Sequence, residues 1–169
     1  SREMVKVERF LDDLRRLSKP TEMNFKKTDA AQVMKKILGD FESVAINADV
    51  DLSSKLSSEL TMSMDEYYFE RVVVNILTNG IEAVTPGGKV YVELFEQKGD
   101  VIIEISDNGT GIPPERMERL FDEYKSTKRN GLGLGLPLSK KYTQEMGGEL
   151  YVRSSSAKGT IFSLVFPNN

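Results

Sequence analysis

Cysteine and histidine are both absent from the 169 residues. Without cysteine there are no disulfides and no thiolate metal sites, and a reducing cytosol is permitted. Without histidine the chain lacks the commonest general base and the commonest transition-metal ligand. Any catalysis must therefore rest on amides, carboxylates, lysines and backbone groups. The chain also has no excess of positive charge: its formal net charge is -3, with acids and bases interspersed. That excludes the basic footprint of a nucleic-acid binder. No apolar run approaches the ~18 residues of a membrane span, and no signal peptide is present. A soluble, cytoplasmic chain is expected, with any membrane segment of a parent protein outside these residues. At this length the chain is one domain, or one domain with an appendage, large enough to bury a core.

Residues 1–18 predict an amphipathic helix, with Met4, Val7, Leu11 and Leu14 in one stripe and Phe10 and Leu17 beside it. It opens in phase and without an evident cap, which predicts that the chain starts inside a longer helix. Lys19-Pro20 ends it. Two readings stay open: a helix packed on its own domain, or part of a dimeric helical stalk. A second helix is predicted over 29–43. The segments "VAINADVD" and "ELTMSM" read as short strands on either side of a polar "SSKLSS" turn. A third helix is predicted from about 65 to 84, opened by Ser63-x-x-Glu66 or by Asp65 and stopped by "TPGG". "KVYVELF" and "VIIEIS" form a hairpin joined by "EQKGD". Pro113-Pro114 start a short helix, residues 136–146 form another closed by Gly147-Gly148, and "ELYVRS" and "TIFSLVF" make a second hairpin. Strands and helices mix without regular βαβ alternation, so the expected class is an α+β sandwich.

The third helix is apolar over most of its circumference, yet Arg71, Asn75, Thr78, Asn79 and Glu82 share a narrow arc. Half-buried amides need partners. Those partners could be a structural hydrogen-bond network or a hard cation such as Mg²⁺, for which stacked amides beside a carboxylate offer oxygen donors. "DNG" after a strand is by default a turn signal. Asp107 at a strand end, followed by Gly109 and Gly111, could instead accept a hydrogen bond from an exocyclic amine. Adenine supplies that amine and guanine does not, so such a contact discriminates.

The run Gly131-Leu132-Gly133-Leu134-Gly135-Leu136 matches no dinucleotide fingerprint, P-loop or protein-kinase glycine loop, because its spacing and flanks differ. It opens directly into a helix, whose first amides suit an anion, and Lys125, Ser126, Thr127 and Lys128 lie just upstream.

Taken in order over about 65–166, these motifs resemble the GHKL ATP-binding family, and within it the catalytic domain of bacterial sensor histidine kinases. Asn75-Ile-Leu-Thr-Asn79-Gly-Ile-Glu-Ala83 resembles the N box, and Asp107-x-Gly109-x-Gly111 the G1 box. Phe121-Asp-Glu-Tyr124 with Ser126-Thr127-Lys128 resembles the F box and its following lid. The glycine run resembles the G2 box, and Gly159-Thr160 the last glycine-threonine motif. The resemblance implies a Bergerat two-layer sandwich, with a mixed, mostly antiparallel sheet packed on helices. It implies ATP and Mg²⁺ as cofactors. Asn79 would ligate Mg²⁺ with Asn75 assisting. Asp107 would hold the adenine amine, with Gly109, Gly111 and Ile112 lining the base and Thr160 near it. Lys125, Thr127 and Lys128 would meet the phosphates, and Gly131 to Leu136 would close over them. Asn79 and Lys128 would carry catalysis.

By the same resemblance, residues 1–20 would be the end of the dimerisation helix and residues 21–169 the catalytic domain. The acceptor histidine would lie on a dimerisation domain outside this chain, and a response regulator receiver domain would act downstream. The full kinase would be a homodimer, while this shorter piece leaves its own oligomeric state open. Gly80 stands where the family usually has alanine, and Glu123-Tyr124 where Pro-Phe is common. Hydrolytic relatives carry a glutamate one turn before the Mg²⁺ asparagine. Here that position is Asn75, which cannot act as a base, so transfer to another residue is expected over hydrolysis. The alternatives are a serine/threonine kinase of the anti-sigma type and a non-catalytic nucleotide-binding module.

Overall fold

The computed structural model describes residues 1–122 and 134–168. Within them the elements run α1 (Arg2–Ser18), β1 (Lys26–Asp29), α2 (Ala30–Asn47), β2 (Asp51–Leu56), β3 (Thr61–Met64) and α3 (Glu66–Ala83). They continue as β4 (Lys89–Gln97), β5 (Asp100–Asp107), α4 (Pro114–Met117), α5 (Gly135–Glu145), β6 (Glu149–Ser156) and β7 (Gly159–Pro167). A five-stranded sheet has the order β2-β4-β5-β7-β6, and a two-stranded ladder joins β1 to β3. Only the β2–β4 pairing is parallel; every other ladder is antiparallel. The expected α+β sandwich is what the chain forms.

The core lies between the inner face of the sheet and helices α2, α3 and α5. Alternate residues of β4 and β5, namely Val90, Val92, Leu94, Val101, Ile103 and Ile105, are buried against Phe69, Val72, Val73, Ile76 and Leu77 of α3. Each such side chain contributes roughly 1.5–3 kcal/mol by leaving water. Phe69 meets Phe166 of β7 with ring centroids 5.9 Å apart, joining helix layer to sheet. Asp65 caps α3, its carboxylate accepting from the amides of Tyr67 and Tyr68. The β4–β5 hairpin is tighter than "EQKGD" predicts. Its loop is Lys98-Gly99, with φ of 53° and 85°, the paired left-handed conformation that matches strand twist.

Several expectations are corrected. "VAINADVD" is not a strand: α2 continues through Asn47, because Ala45 extends the buried stripe of Ile37, Leu38 and Phe41 at helical spacing. The β-branched Val44 and Ile46 are simply exposed on its far side. "SSKLSS" is not a turn, because its first part is β2. That strand pairs only with β4, so one edge and much of its surface face solvent, and polar residues suit it. β1 is an element the sequence did not announce. Ser1 is a cap after all, its hydroxyl accepting from the amide of Met4.

Helix α1 packs on its own domain along one face and leaves a neighbouring apolar arc exposed. Phe10, Leu14 and Leu17 pack on the core beside α5, while Met4, Val7 and Leu11 on the neighbouring arc are 63%, 57% and 50% exposed. Among the described residues no helix is long and apolar enough to cross a membrane.

Candidate functional site

One transverse row of the sheet organises the site. Leu52, Val90, Asp107, Thr160 and Ser155 are successive register partners from β2 to β6. Direct partners share a face, and Val90 is buried in the core, so the row looks toward the helices. α3 lies across it: a Cβ added to Gly80 would sit 3.6 Å from both Val90 methyls and 3.9 Å from the Asp107 Cβ.

Asp107 ends the central strand. Its Oδ1 accepts from the Gly109 amide at 2.9 Å, and the Thr160 amide also donates to it. Burial pushes the Asp107 pKa above the ordinary aspartate value, and the two amides offset this only in part. The result is a desolvated acceptor on a rigid strand end, as the amine-recognition reading requires.

Glycines let the surrounding backbone close on it. A Cβ on Gly109 would fall on the Ala83 carbonyl of α3, and one on Gly111 on the Ser156 carbonyl of β6. Gly111 also has φ of 82°, where side chains are strained. Gly159 packs on the Asp107 carbonyl itself. The Ile112 amide donates to Ser155 Oγ at 2.8 Å, and Ser155 Oγ lies 3.0 Å from Thr160 Oγ1. Asn108 points away from the site and pairs with Lys89, its Oδ1 accepting from that residue's amide at 2.7 Å.

The polar arc of α3 divides by function. Arg71 donates to the Tyr67 hydroxyl at 3.2 Å, and Thr78 turns back to the Val74 carbonyl at 2.7 Å. Neither reaches the sheet row. Asn75 Nδ2 donates to Ser139 Oγ of α5 at 3.0 Å, and a Cβ on Gly135 would lie 2.5 Å from Asn75 Oδ1. The amide is thus held nitrogen-first on Ser139 and oxygen-first at the start of α5. Half-buried Asn79 follows one turn later, immediately before Gly80, the residue of α3 that meets Asp107. An oxygen-presenting amide of this kind fits a hard cation in donor chemistry. Among the described residues no cluster of three or more acidic, histidine or cysteine side chains could hold a metal.

α5 starts from Leu134, which is buried, and its N-cap makes no side-chain bond. Gly135 and half-buried Leu136 form its first turn. Phe121 is fixed by Lys140, whose Nζ lies 4.4 Å from the ring centroid and donates to the Leu150 carbonyl at 3.3 Å. Lys125, Thr127, Lys128, Gly131, Leu132 and Gly133, with Glu123, Tyr124 and Ser126, lie outside the described residues. The site thus joins Asp107, Gly109, Gly111, Ile112 and Thr160 at one end, and Asn75 and Gly135 at the other, with Asn79 between along α3. Sequence reasoning missed Ser139 and Ser155. Ser139 stands one turn after Gly135 and could have been noticed from that spacing, whereas Ser155 carries no such signal.

Comparison with known proteins agrees with this fold. Residues 64–169 match the family described as histidine kinase-, DNA gyrase B-, and HSP90-like ATPase. Sporulation kinase C of Bacillus subtilis (strain 168) is 30% identical over 167 residues, covering 98% of this chain and 39% of that protein. The chain thus spans about two fifths of that relative's length. The nucleotide-free catalytic domain of histidine kinase ThkA superposes with a TM-score of 0.80 at 24% identity, covering 86% of this chain and 97% of that one. ThkA in complex with response regulator protein TrrA superposes at 0.84 and 21% identity, covering 99% of this chain and 49% of that one. With its ordered motifs, its sandwich and its glycine-walled strand-end aspartate, the chain belongs to the histidine kinase-, DNA gyrase B- and HSP90-like ATPase family.

Proposed function

We propose that residues 21–169 are the ATP-binding catalytic domain of a two-component sensor histidine kinase, and that residues 1–20 end its dimerisation helix. The γ-phosphate of ATP would pass to a histidine on a dimerisation domain outside this chain, and then to a response regulator. The placement of Asn75 carries this reading. Its amide is held by Ser139 at the position where a hydrolytic relative needs a carboxylate, so the site has no group there to activate water.

Each residue then has a task. Asp107 accepts the adenine N6–H, and Gly109 and Gly111 let the base approach the backbone. Asn79, with Asn75 assisting, presents amide oxygen to Mg²⁺. Bound Mg²⁺ would neutralise charge on the phosphates. The first amides of α5, at Gly135 and Leu136, donate to phosphate oxygens. Lys125, Thr127 and Lys128 supply the cationic and hydroxyl contacts on the phosphate side. Catalysis is then positioning and charge neutralisation, with the acceptor imidazole as nucleophile. Met4, Val7 and Leu11, exposed on α1, support pairing with a second helix in a homodimer. ThkA, a structural neighbour crystallised with a response regulator, supports a receiver domain as partner.

Calorimetric titration tests the reading first: Mg·ATP binds and GTP binds far more weakly. The isolated chain then fails to phosphorylate itself on histidine, and adding a fragment with the acceptor helix pair restores an acid-labile phosphoprotein. Tight ATP binding with no transfer, or an acid-stable product, rejects the histidine kinase reading.

A further inference from the structure

Strand β6 carries a register irregularity between Val152 and Ser154, and Ser155 owes its position to it. Before the irregularity Leu150 and Val152 pair with Leu164 and Phe162, and Leu150 is buried on the helix side. After it, Ser154 pairs with Ile161 and Ser155 with Thr160. The extra residue is Arg153, which is exposed and ion-paired to Glu104 at 2.5 Å. Strict alternation would put Ser154 on the inner face, whereas the bulge reverses the phase and puts Ser155 there instead. The bulge thus aims one hydroxyl at the end of the row that holds Thr160 and Asp107.

We propose that Ser155 is a specificity-determining positioning residue for the purine base, acting through the Thr160 hydroxyl. This rests on the ATP-site reading above. The argument is one of hydrogen-bond polarity. Ser155 Oγ already accepts the Ile112 amide, and it shares a second bond with Thr160 Oγ1 at 3.0 Å. Adenine presents a donor at N6 and an acceptor at N1. Asp107 takes the donor, so the neighbouring N1 needs a donor from the protein, directly or through one water. While the two hydroxyls are bonded to each other, Thr160 can donate outward only if Ser155 is the donor in their shared bond. The chain then runs from the Ile112 N–H to Ser155, from Ser155 O–H to Thr160, and from Thr160 O–H to N1. Purines with O6 and N1–H reverse both contacts. They set an acceptor against the Asp107 carboxylate and a donor against a donor. Without Ser155 the Thr160 hydroxyl rotates freely and the N1 contact loses its sign. Thr160 is 4% exposed, so it has few other partners to fix it.

The experiment is a cycle in this chain with two nucleotides, ATP and 1-deaza-ATP, in which a C–H replaces N1. The parent protein is expected to prefer ATP by roughly 3- to 10-fold, the net value of one hydrogen bond. Ser155→Ala should lower ATP affinity by that factor and leave 1-deaza-ATP unchanged, so the preference vanishes. Ser155→Thr keeps the hydroxyl and should keep the preference. Thr160→Val should reproduce the Ser155→Ala pattern, and it serves as the test if Ser155→Ala shows a lost melting transition. Equal loss for both nucleotides in Ser155→Ala would mean that the serine only braces the loop, and would overturn the proposal. So would an unchanged preference in both Ser155→Ala and Thr160→Val. A parent protein that binds neither nucleotide overturns the ATP-site reading itself, a result distinct from either of these.

Discussion

Asp107, the residue proposed to read the adenine amine, shows what a buried carboxylate costs the fold that holds it. Its folded pKa is raised, with burial as the main cause, so the protein favours the protonated form more than the unfolded chain does. The stability contributed by that preference is present below the ordinary aspartate value near 3.9 and is lost as pH rises through the raised one. At neutral pH the empty site therefore holds an unfavourable charge. Asp107→Asn is expected to raise the melting temperature of the nucleotide-free protein at pH 7, with the difference shrinking toward acid. It should also weaken ATP binding by about 1.5–3 kcal/mol, because one amide oxygen cannot serve Gly109 and the adenine amine as a carboxylate does. Calorimetry with scanning across pH checks both halves, and a mutant that is destabilised at pH 7 refutes the first. ATP affinity of the parent should fall as pH drops through the raised value, since only the carboxylate accepts the amine. Gly80 sits on the other side of the same contact. It lies inside α3, and an added Cβ meets Val90 and Asp107 at 3.6–3.9 Å, which is ordinary packing. Gly80→Ala should stabilise the chain by roughly 0.5–1 kcal/mol, seen as a higher denaturant midpoint at unchanged m-value.

At the scale of elements, α3 meets different partners at the two ends of the proposed site. It touches the sheet row through Gly80, the Gly109 loop through Ala83, and α5 through Asn75. Gly135→Ala tests the second contact. The new methyl would press on Asn75 Oδ1, whose amide nitrogen is already tied to Ser139. Helix propensity favours alanine, so the melting temperature should change little while Mg·ATP affinity falls several-fold relative to Mg²⁺-free ATP. An equal fall in both titrations would separate Asn75 from the metal. The elements that build this site were legible in the sequence where local chemistry and burial agreed. α3 announced itself by its cap at Asp65 and its buried period, and Asp107 by its position between a strand and two glycines. What stayed hidden depended on pairing that no short segment records. β2 looks polar because it is a sheet edge. Val44 and Ile46 look like a strand because β-branched residues favour one, yet Ala45 and Phe41 hold them in α2. Ser155 reaches the site only because a bulge three-dimensionally reverses its face, and "VRSSS" reads the same with or without it.

For the whole molecule, the decisive joint is the one between α1 and the sandwich, and it is locked from the far end of α5. Lys141 Nζ donates to the carbonyls of Arg16 and Lys19 and to Thr21 Oγ1, and it pairs with Glu145 at 2.9 Å. Glu145 Oε2 accepts the Thr21 amide at 3.0 Å. One ammonium therefore satisfies terminal carbonyls of α1 and pins the connecting segment, a favourable place for positive charge. Elsewhere on α1 the Asp13 carboxyl is raised chiefly by burial, against the pull of the Arg71 charge of α3. Glu145 is pulled the other way: burial pushes it up, but the bonds to Lys141 and Thr21 win and hold it below the ordinary glutamate value. Its contribution is thus present throughout neutral pH and is lost only as pH falls through that lowered value. α5 is 11 residues long, about 16 Å, and runs from Gly135 and Ser139 beside Asn75 to this latch. The same helix therefore links the Asn75 end of the proposed site to the point where α1 joins the domain. Lys141→Met keeps the stem and removes every bond that the ammonium makes, leaving only the Thr21 amide on Glu145, so it should free α1 without unfolding the sandwich. The absence of cysteine makes the measurement clean: labels on Val7→Cys and Lys98→Cys report the distance from α1 to the β4–β5 turn by pulsed electron resonance. The parent should give one narrow distance at neutral pH and the Lys141→Met protein a broad spread, with a melting temperature close to the parent's. If the distribution stays narrow, the apolar contacts of Phe10, Leu14 and Leu17 suffice to hold α1, and the ion pair is not the lock.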